Sequence, residues 1–158
     1  MRKLFLTTFF ALTTFVAPLN TARADGHTKI ENGWITAQSP SDVASTVKRL
    51  TAAIEKAGAT LSAVVDHQAG AKKAGLEMAP ATLVIFGNPK LGTPIMKSSP
   101  MAAHDLPIRV LVWSDNGTTK LAALAPETFK ARHGVTADEA LKKMGGALDN
   151  FMGAAIKP

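Results

Sequence analysis

Two places in this chain carry residues whose types and spacing could do chemistry. One is His67, which directly follows Asp66; the other is the run Gly87-Asn88-Pro89-Lys90-Leu91-Gly92-Thr93. An imidazole titrates near neutral pH and suits general-base work. A glycine-punctuated run that feeds a helix offers backbone N–H groups and a favourable dipole to an anion. The run nearly repeats G-x-x-x-x-G-K-[ST], but Thr93 stands where a lysine would have to reach the phosphates. Pro89 and Pro94 also remove two backbone donors. Nucleotide hydrolysis is therefore rejected. The expectation is a shallow polar site, lined by His67, Asn88, Lys90 and Thr93, for a small anionic or polar ligand. The plain alternative is a tight turn that links a strand to a helix.

Arg109 stands in an otherwise apolar run, where a guanidinium must be paired or reach solvent. It is a candidate carboxylate anchor. His104-Asp105 has the look of turn chemistry, and His133 falls at a helix end, where a cation is favoured. Histidines at 27, 67, 104 and 133 show no local metal spacing, so no metal site is assigned and no cofactor is identified. Met78, Met96 and Met101 flank the loop region and, with His67, raise an alternative, a haem- or metal-linked redox role with His67 and a methionine as ligands. A hydrolase or transferase with His67 as general base is a further alternative. No Ser-His-Asp order, G-x-S-x-G elbow or paired-carboxylate signature is visible, which favours binding over catalysis.

Composition narrows the setting. Arg2 and Lys3 precede an uncharged apolar run that closes with Ala22-Arg23-Ala24. That is the layout of a cleavable export signal over residues 1–24, which predicts a periplasmic or secreted bacterial protein of residues 25–158. Cleavage leaves 15 basic against 12 acidic residues, a net charge of +3. So mild a balance points to neither nucleic acid nor strong membrane attraction. Without cysteine, thiol catalysis and thiolate metal sites are excluded, and the fold rests on its core alone. No second apolar run reaches spanning length.

The elements that must position these residues read as follows. A strand is expected over 33–38. A helix follows, capped at Ser39 with Pro40 in its first turn, carrying Val43, Val47, Leu50 and Ile54 on one face and stopping at Gly58. Strand patterning returns at 60–68, then a short helical piece at 70–75. Residues 81–86 are apolar on both faces and predict a central strand covered on both sides. Thr93-Pro94 would open a short helix that Pro100 ends. Strands at 106–114 and 119–124 flank Asn116-Gly117, a hairpin signal. A helix over 126–133 stops at Gly134. A capping box at Thr136–Glu139 opens the last helix, with Leu141, Met144, Leu148, Phe151 and Ala155 inward. Residues 25–29 are polar and read as loose. The sum is a two-layer α+β domain, with a mixed sheet of about five strands and helices packed on it.

The segment VVDHQAGAKKAGLEMAPATLVIFGNPKLGTPIM, followed by DLPIRVLVW, resembles the domain-of-unknown-function 302 family over Thr60 to about Leu124. Asp66, His67, Gly87, Asn88, Pro89, Gly92, Thr93 and Met96 carry the resemblance. It implies a small α+β fold, dimeric relatives and hence a possible homodimer, and a family without established activity. Relatives often show a tyrosine on the strand after the hairpin. This chain has none, which implies an altered site if that residue serves one.

Overall fold

The computed structural model describes residues 28–158. The expected export signal and His27 lie outside them. Six strands form one sheet in the order β1-β2-β6-β5-β4-β3. They are Lys29–Glu31 (β1), Trp34–Ser39 (β2), Thr60–Asp66 (β3), Ala81–Gly87 (β4), Ile108–Asp115 (β5) and Thr118–Leu124 (β6). Every pairing is antiparallel, so the expected mixed sheet is corrected to an antiparallel one. The sixth strand is β1, which begins at Lys29, the last of the residues read as loose, and continues through Ile30 and Glu31, which lie in no expected element. Its signal was in the sequence: Asn32-Gly33 adopts positive φ at both residues, 51° and 80°, the I′ turn that Asn-Gly favours. The Asn116-Gly117 turn has the same form, with φ of 49° and 83°.

Helices cover one face. They are Val43–Lys56 (α1), His67–Lys73 (α2), Pro89–Ser98 (α3), Pro126–His133 (α4) and Asp138–Ala155 (α5), with a 3-10 segment at Pro100–Asp105. The long helices α1 and α5 bring Leu50, Ile54, Met144, Leu148 and Met152 onto Ile35, Val84, Val110, Val112 and Leu121 of the sheet. All of these are at most 2 % exposed. Phe86 meets Phe151 edge-on, ring centroids 5.6 Å apart, a favoured aromatic geometry.

Helix starts differ from the sequence reading in an instructive way. α1 is capped by Asp42, not Ser39: its carboxylate accepts from the Ser45 amide at 2.7 Å, and that bond is the main reason its pKa lies below the ordinary value. Ser39 remains in β2, and its hydroxyl pairs with Thr46 at 2.8 Å. α5 begins at Asp138 without a side-chain cap bond, so the expected capping box does not form. One glycine of the pair in α5 answers a helix–helix contact: a Cβ on Gly145 would stand 3.2 Å from Pro126 of α4, whereas one on Gly146 would meet nothing within 4 Å.

The sheet's other face is uncovered by any described element. β4 is not sheathed on both sides as expected; Val84 and Phe86 face the helices, whereas Leu83 and Ile85 look outward and are partly exposed. Apolar residues on both faces of a strand predict burial on both faces, and here one face has no cover among the described residues.

Candidate functional site

The Gly87–Thr93 corner is built around one residue. Asn88 ends β4 and caps α3, its side-chain oxygen accepting from the Lys90 amide at 2.9 Å. Its main-chain carbonyl accepts from both Leu91 and Gly92 at 2.9 Å. Pro89 has no N–H to give. The four amides that could have met an anion are thus missing or occupied. The helix starts at Pro89, five residues earlier than Thr93-Pro94 predicted, because an asparagine followed by proline is a competent cap and first residue. Pro94 then lies inside α3.

Beneath this corner the structure opens a hollow of about 570 Å³ on the helical side of the sheet. Phe86, Ile95, Met96, Leu106, Leu148 and Phe151 supply most of its apolar lining. Thr60, Ser62, Asn88 and Thr93 supply its polar rim. No lining residue is ionisable. Its size falls within the range of small-molecule sites. The hollow exists because α3, the Leu106-Pro107-Ile108 turn, the end of α5 and the start of β3 converge without filling the space. β3 bulges there, its register shifting between Leu61 and Ala63.

His67 is elsewhere. Thr60 of β3 pairs with Gly87, and Asp66 pairs with Thr82. His67 therefore begins α2 at the opposite end of the strand pair, five residues along β4, or about 16 Å at the ~3.3 Å rise per residue of a strand. The expected common site of His67 with the corner does not form. Asp66 has its own duty, since its carboxylate accepts from the Ala69 amide at 2.9 Å and caps α2. Lys90 is exposed and outside the hollow. Of the anticipated residues, the structure brings Asn88 and Thr93 to the hollow, leaves His67 and Lys90 apart from it, and sets Arg109 on the uncovered face of the sheet. Among the described residues no cluster of three or more His, Asp or Glu could hold a metal ion.

Arg109 belongs to an ion cluster that sequence reading missed. Asp105 is buried and is shared by three partners. Arg109 Nη2 donates to its Oδ1 at 3.1 Å, and Arg132 Nη1 donates to its Oδ2 at 2.8 Å. His133 Nε2 lies 2.7 Å from the same Oδ2. Burial pushes the Asp105 pKa up, but hydrogen bonds from His133 and Arg132, with their charges, outweigh it and hold the carboxyl below its usual range. The cluster ties the 3-10 segment to β5 and α4. Asp105 and His133 are 28 residues apart, too far for any local spacing to announce.

Arg109 and Arg132 line a second hollow, of about 620 Å³, that opens on the uncovered face and reaches Ile108, Phe129 and Met144 of the helical layer. Trp34, Leu83, Leu111, Trp113 and Leu124 form much of its wall. The register runs an unbroken row across the sheet here: Lys29, Thr36, Ala122, Leu111, Leu83, Val65.

Comparison with known proteins places the fold. The family described as "Domain of unknown function DUF302" matches residues 35–151. A solved structure, an uncharacterized conserved DUF302 protein from Bacillus stearothermophilus, superposes with a TM-score of 0.63 over 80% of this chain and 97% of that chain. At 19% identity it speaks to the fold alone. Among curated proteins, "Fluoride-specific ion channel FluC 1" of Brucella suis biovar 1 (strain 1330) is 41% identical over 118 residues, 73% of this chain and 46% of the relative. The protein of that name in Brucella abortus biovar 1 (strain 9-941) is also 41% identical, over 73% of this chain and 44% of its own. The chain thus spans less than half the length of the curated relatives it matches.

Proposed function

This chain belongs to the DUF302 family, a domain of unknown function, and we propose that it binds a small, uncharged and largely apolar molecule in the hollow beneath the Asn88 corner. The observation that carries the reading is the lining: none of the residues around this hollow is ionisable. Binding a charge there would strip its hydration without offering an opposite charge, which costs several kcal/mol in order of magnitude. An apolar body instead gains roughly 25 cal/mol for each Å² of apolar surface it removes from water. Thr60, Ser62, Asn88 and Thr93 at the rim give such a ligand a few oriented hydrogen bonds. The anionic ligand expected from the loop alone is replaced, because the corner amides are already used.

We further propose that the domain acts outside the cytoplasm and close to a membrane protein. The N-terminal charge and apolar pattern supports export. The Brucella relatives carry the name of a fluoride channel, and more than half of each lies outside the match. No described helix is long and apolar enough to cross a membrane, which supports an accessory role for this chain over a channel role.

The test is native mass spectrometry of the full-length protein as purified, alongside an Ala147→Phe variant that projects a ring into the hollow. A bound neutral molecule that is present in the parent and absent in the variant supports the proposal. A parent that carries nothing, and shows no thermal stabilisation across a panel of neutral apolar compounds, overturns it.

A further inference from the structure

The uncovered sheet face presents a different chemistry from the corner hollow, and we propose that it holds an amphiphilic carboxylate, an apolar body ending in one carboxylate group. The ends of such a molecule find their counterparts within one hollow. Trp34, Leu83, Leu111, Trp113 and Leu124 supply an apolar floor. Arg109 and Arg132 stand together at its margin, both bonded to Asp105.

Charge decides the ligand's sign. Two guanidiniums share one carboxylate, so these three groups carry one positive charge in excess, before any contribution from His133. Each guanidinium has five N–H donors. Among the described residues, the side-chain and main-chain bonds of Arg109 run through Nη2 and those of Arg132 through Nη1. Both side chains are about half exposed, at 44% and 51%. The remaining donors are thus free for a planar anion, and paired arginine forks match carboxylate geometry. Glu31, the other acid on this hollow, lies on β1, three strand spacings from β5, or about 14 Å at ~4.8 Å each. The ion pairs of both arginines within 4 Å run to Asp105 and not to Glu31.

The same inventory argues against a second copy of the chain as the occupant. A self-associated face would bring another Arg109 and Arg132 and double the excess charge, with burial raising its cost. A carboxylate cancels it. The hollow's volume is also that of a small-molecule site, within ~300–1,000 Å³.

Both tryptophans of the protein, Trp34 and Trp113, lie on this hollow, so intrinsic fluorescence reads this face and no other. The full-length protein is titrated with decanoate, decanol and decylammonium, each below its micellar concentration, and emission is followed. Decanoate should shift the emission in a saturable way, and decanol and decylammonium should bind at least about tenfold more weakly, the difference one charge-assisted pair makes. Arg109→Gln should weaken decanoate by about tenfold and leave decanol unchanged. Ala147→Phe, which fills only the other hollow, should leave the decanoate titration as it is, so this result stands or falls separately from the corner site. Equal binding of the three probes, or no response to any, overturns the proposal. So does a dimer in sedimentation equilibrium that excludes decanoate, which would make this face an interface. Should Arg109→Gln fail to fold, the charge series on the unmodified protein still decides.

Discussion

Two hollows of similar volume lie beside one sheet, one under the helices and one opening on the uncovered face, with Ile108 and Met144 on the wall of both, and they differ in what surrounds them. The corner hollow is roofed by helices, lined without charge and anchored on residues that are almost wholly buried. The open-face hollow rests chiefly on outward side chains of the sheet, with buried Phe129 and Met144 and an ion cluster at its margin. The contrast teaches that apolar character alone does not define a site. In the corner, apolar groups are chiefly core, and the site is the space they leave. On the open face, the outward apolar groups of the sheet lack a covering layer among the described residues, and the charges beside them set which partner fits.

The sharpest way to break this comparison is to truncate one large side chain on each side. Phe86→Ala should cost about 3–5 kcal/mol of stability, because it deletes a fully buried ring and its contact with Phe151. Trp34→Ala, whose side of the sheet is uncovered and whose residue is 46% exposed, should cost less than about 1 kcal/mol. Chemical denaturation of both variants checks this; equal losses would mean that the open face is covered after all.

The ion cluster comes next in size. Asp105→Asn should destabilise the protein by about 2 kcal/mol at neutral pH, the scale of hydrogen bonds to a charged group. The sign of its pH dependence follows from the depressed carboxyl. Stability from the ionised Asp105 is present above the unfolded carboxylate value of about 3.9. It is lost as pH falls from there through the lower folded value. Melting temperatures of parent and variant should therefore stay apart down to about pH 4 and converge below it. Convergence well above pH 4 would show that the ionised carboxyl of Asp105 is not what holds the clasp.

The smallest effects locate the helix start. Asn88→Ala should cost about 1 kcal/mol through the lost cap on α3. Thr93→Ala, on an exposed residue inside that helix, should stay within about 0.5 kcal/mol. If the two were reversed, the cap would belong to Thr93, and the corner amides would be free for an anion.

Legibility followed the range of the interaction. Both Asn-Gly hairpins, the Gly58 and Gly134 stops and the inward face of α5 are local signals, and all appear in the fold. Reading residues 25–29 as loose and starting a strand at Gly33 overlooked the first of those hairpins. His67 and Asn88, polar residues at strand ends, invited a shared site, but Asp66 beside His67 and Asn88 itself have another duty. Each turns out to cap the helix that follows it, one solution used at opposite ends of β3 and β4. The Asp105 cluster had no local signature, since its members gather from the 3-10 segment, β5 and α4.

The sequence by itself determined the family, the α+β class and most element boundaries, because turn chemistry, capping and hydrophobic period act within a few residues. Only the tertiary structure decided that His67 and the corner lie apart, that the corner's amides are already satisfied, and that one apolar sheet face has no cover. Those outcomes depend on antiparallel register and on which helices reach which face, and both are set by packing between segments far apart in the chain.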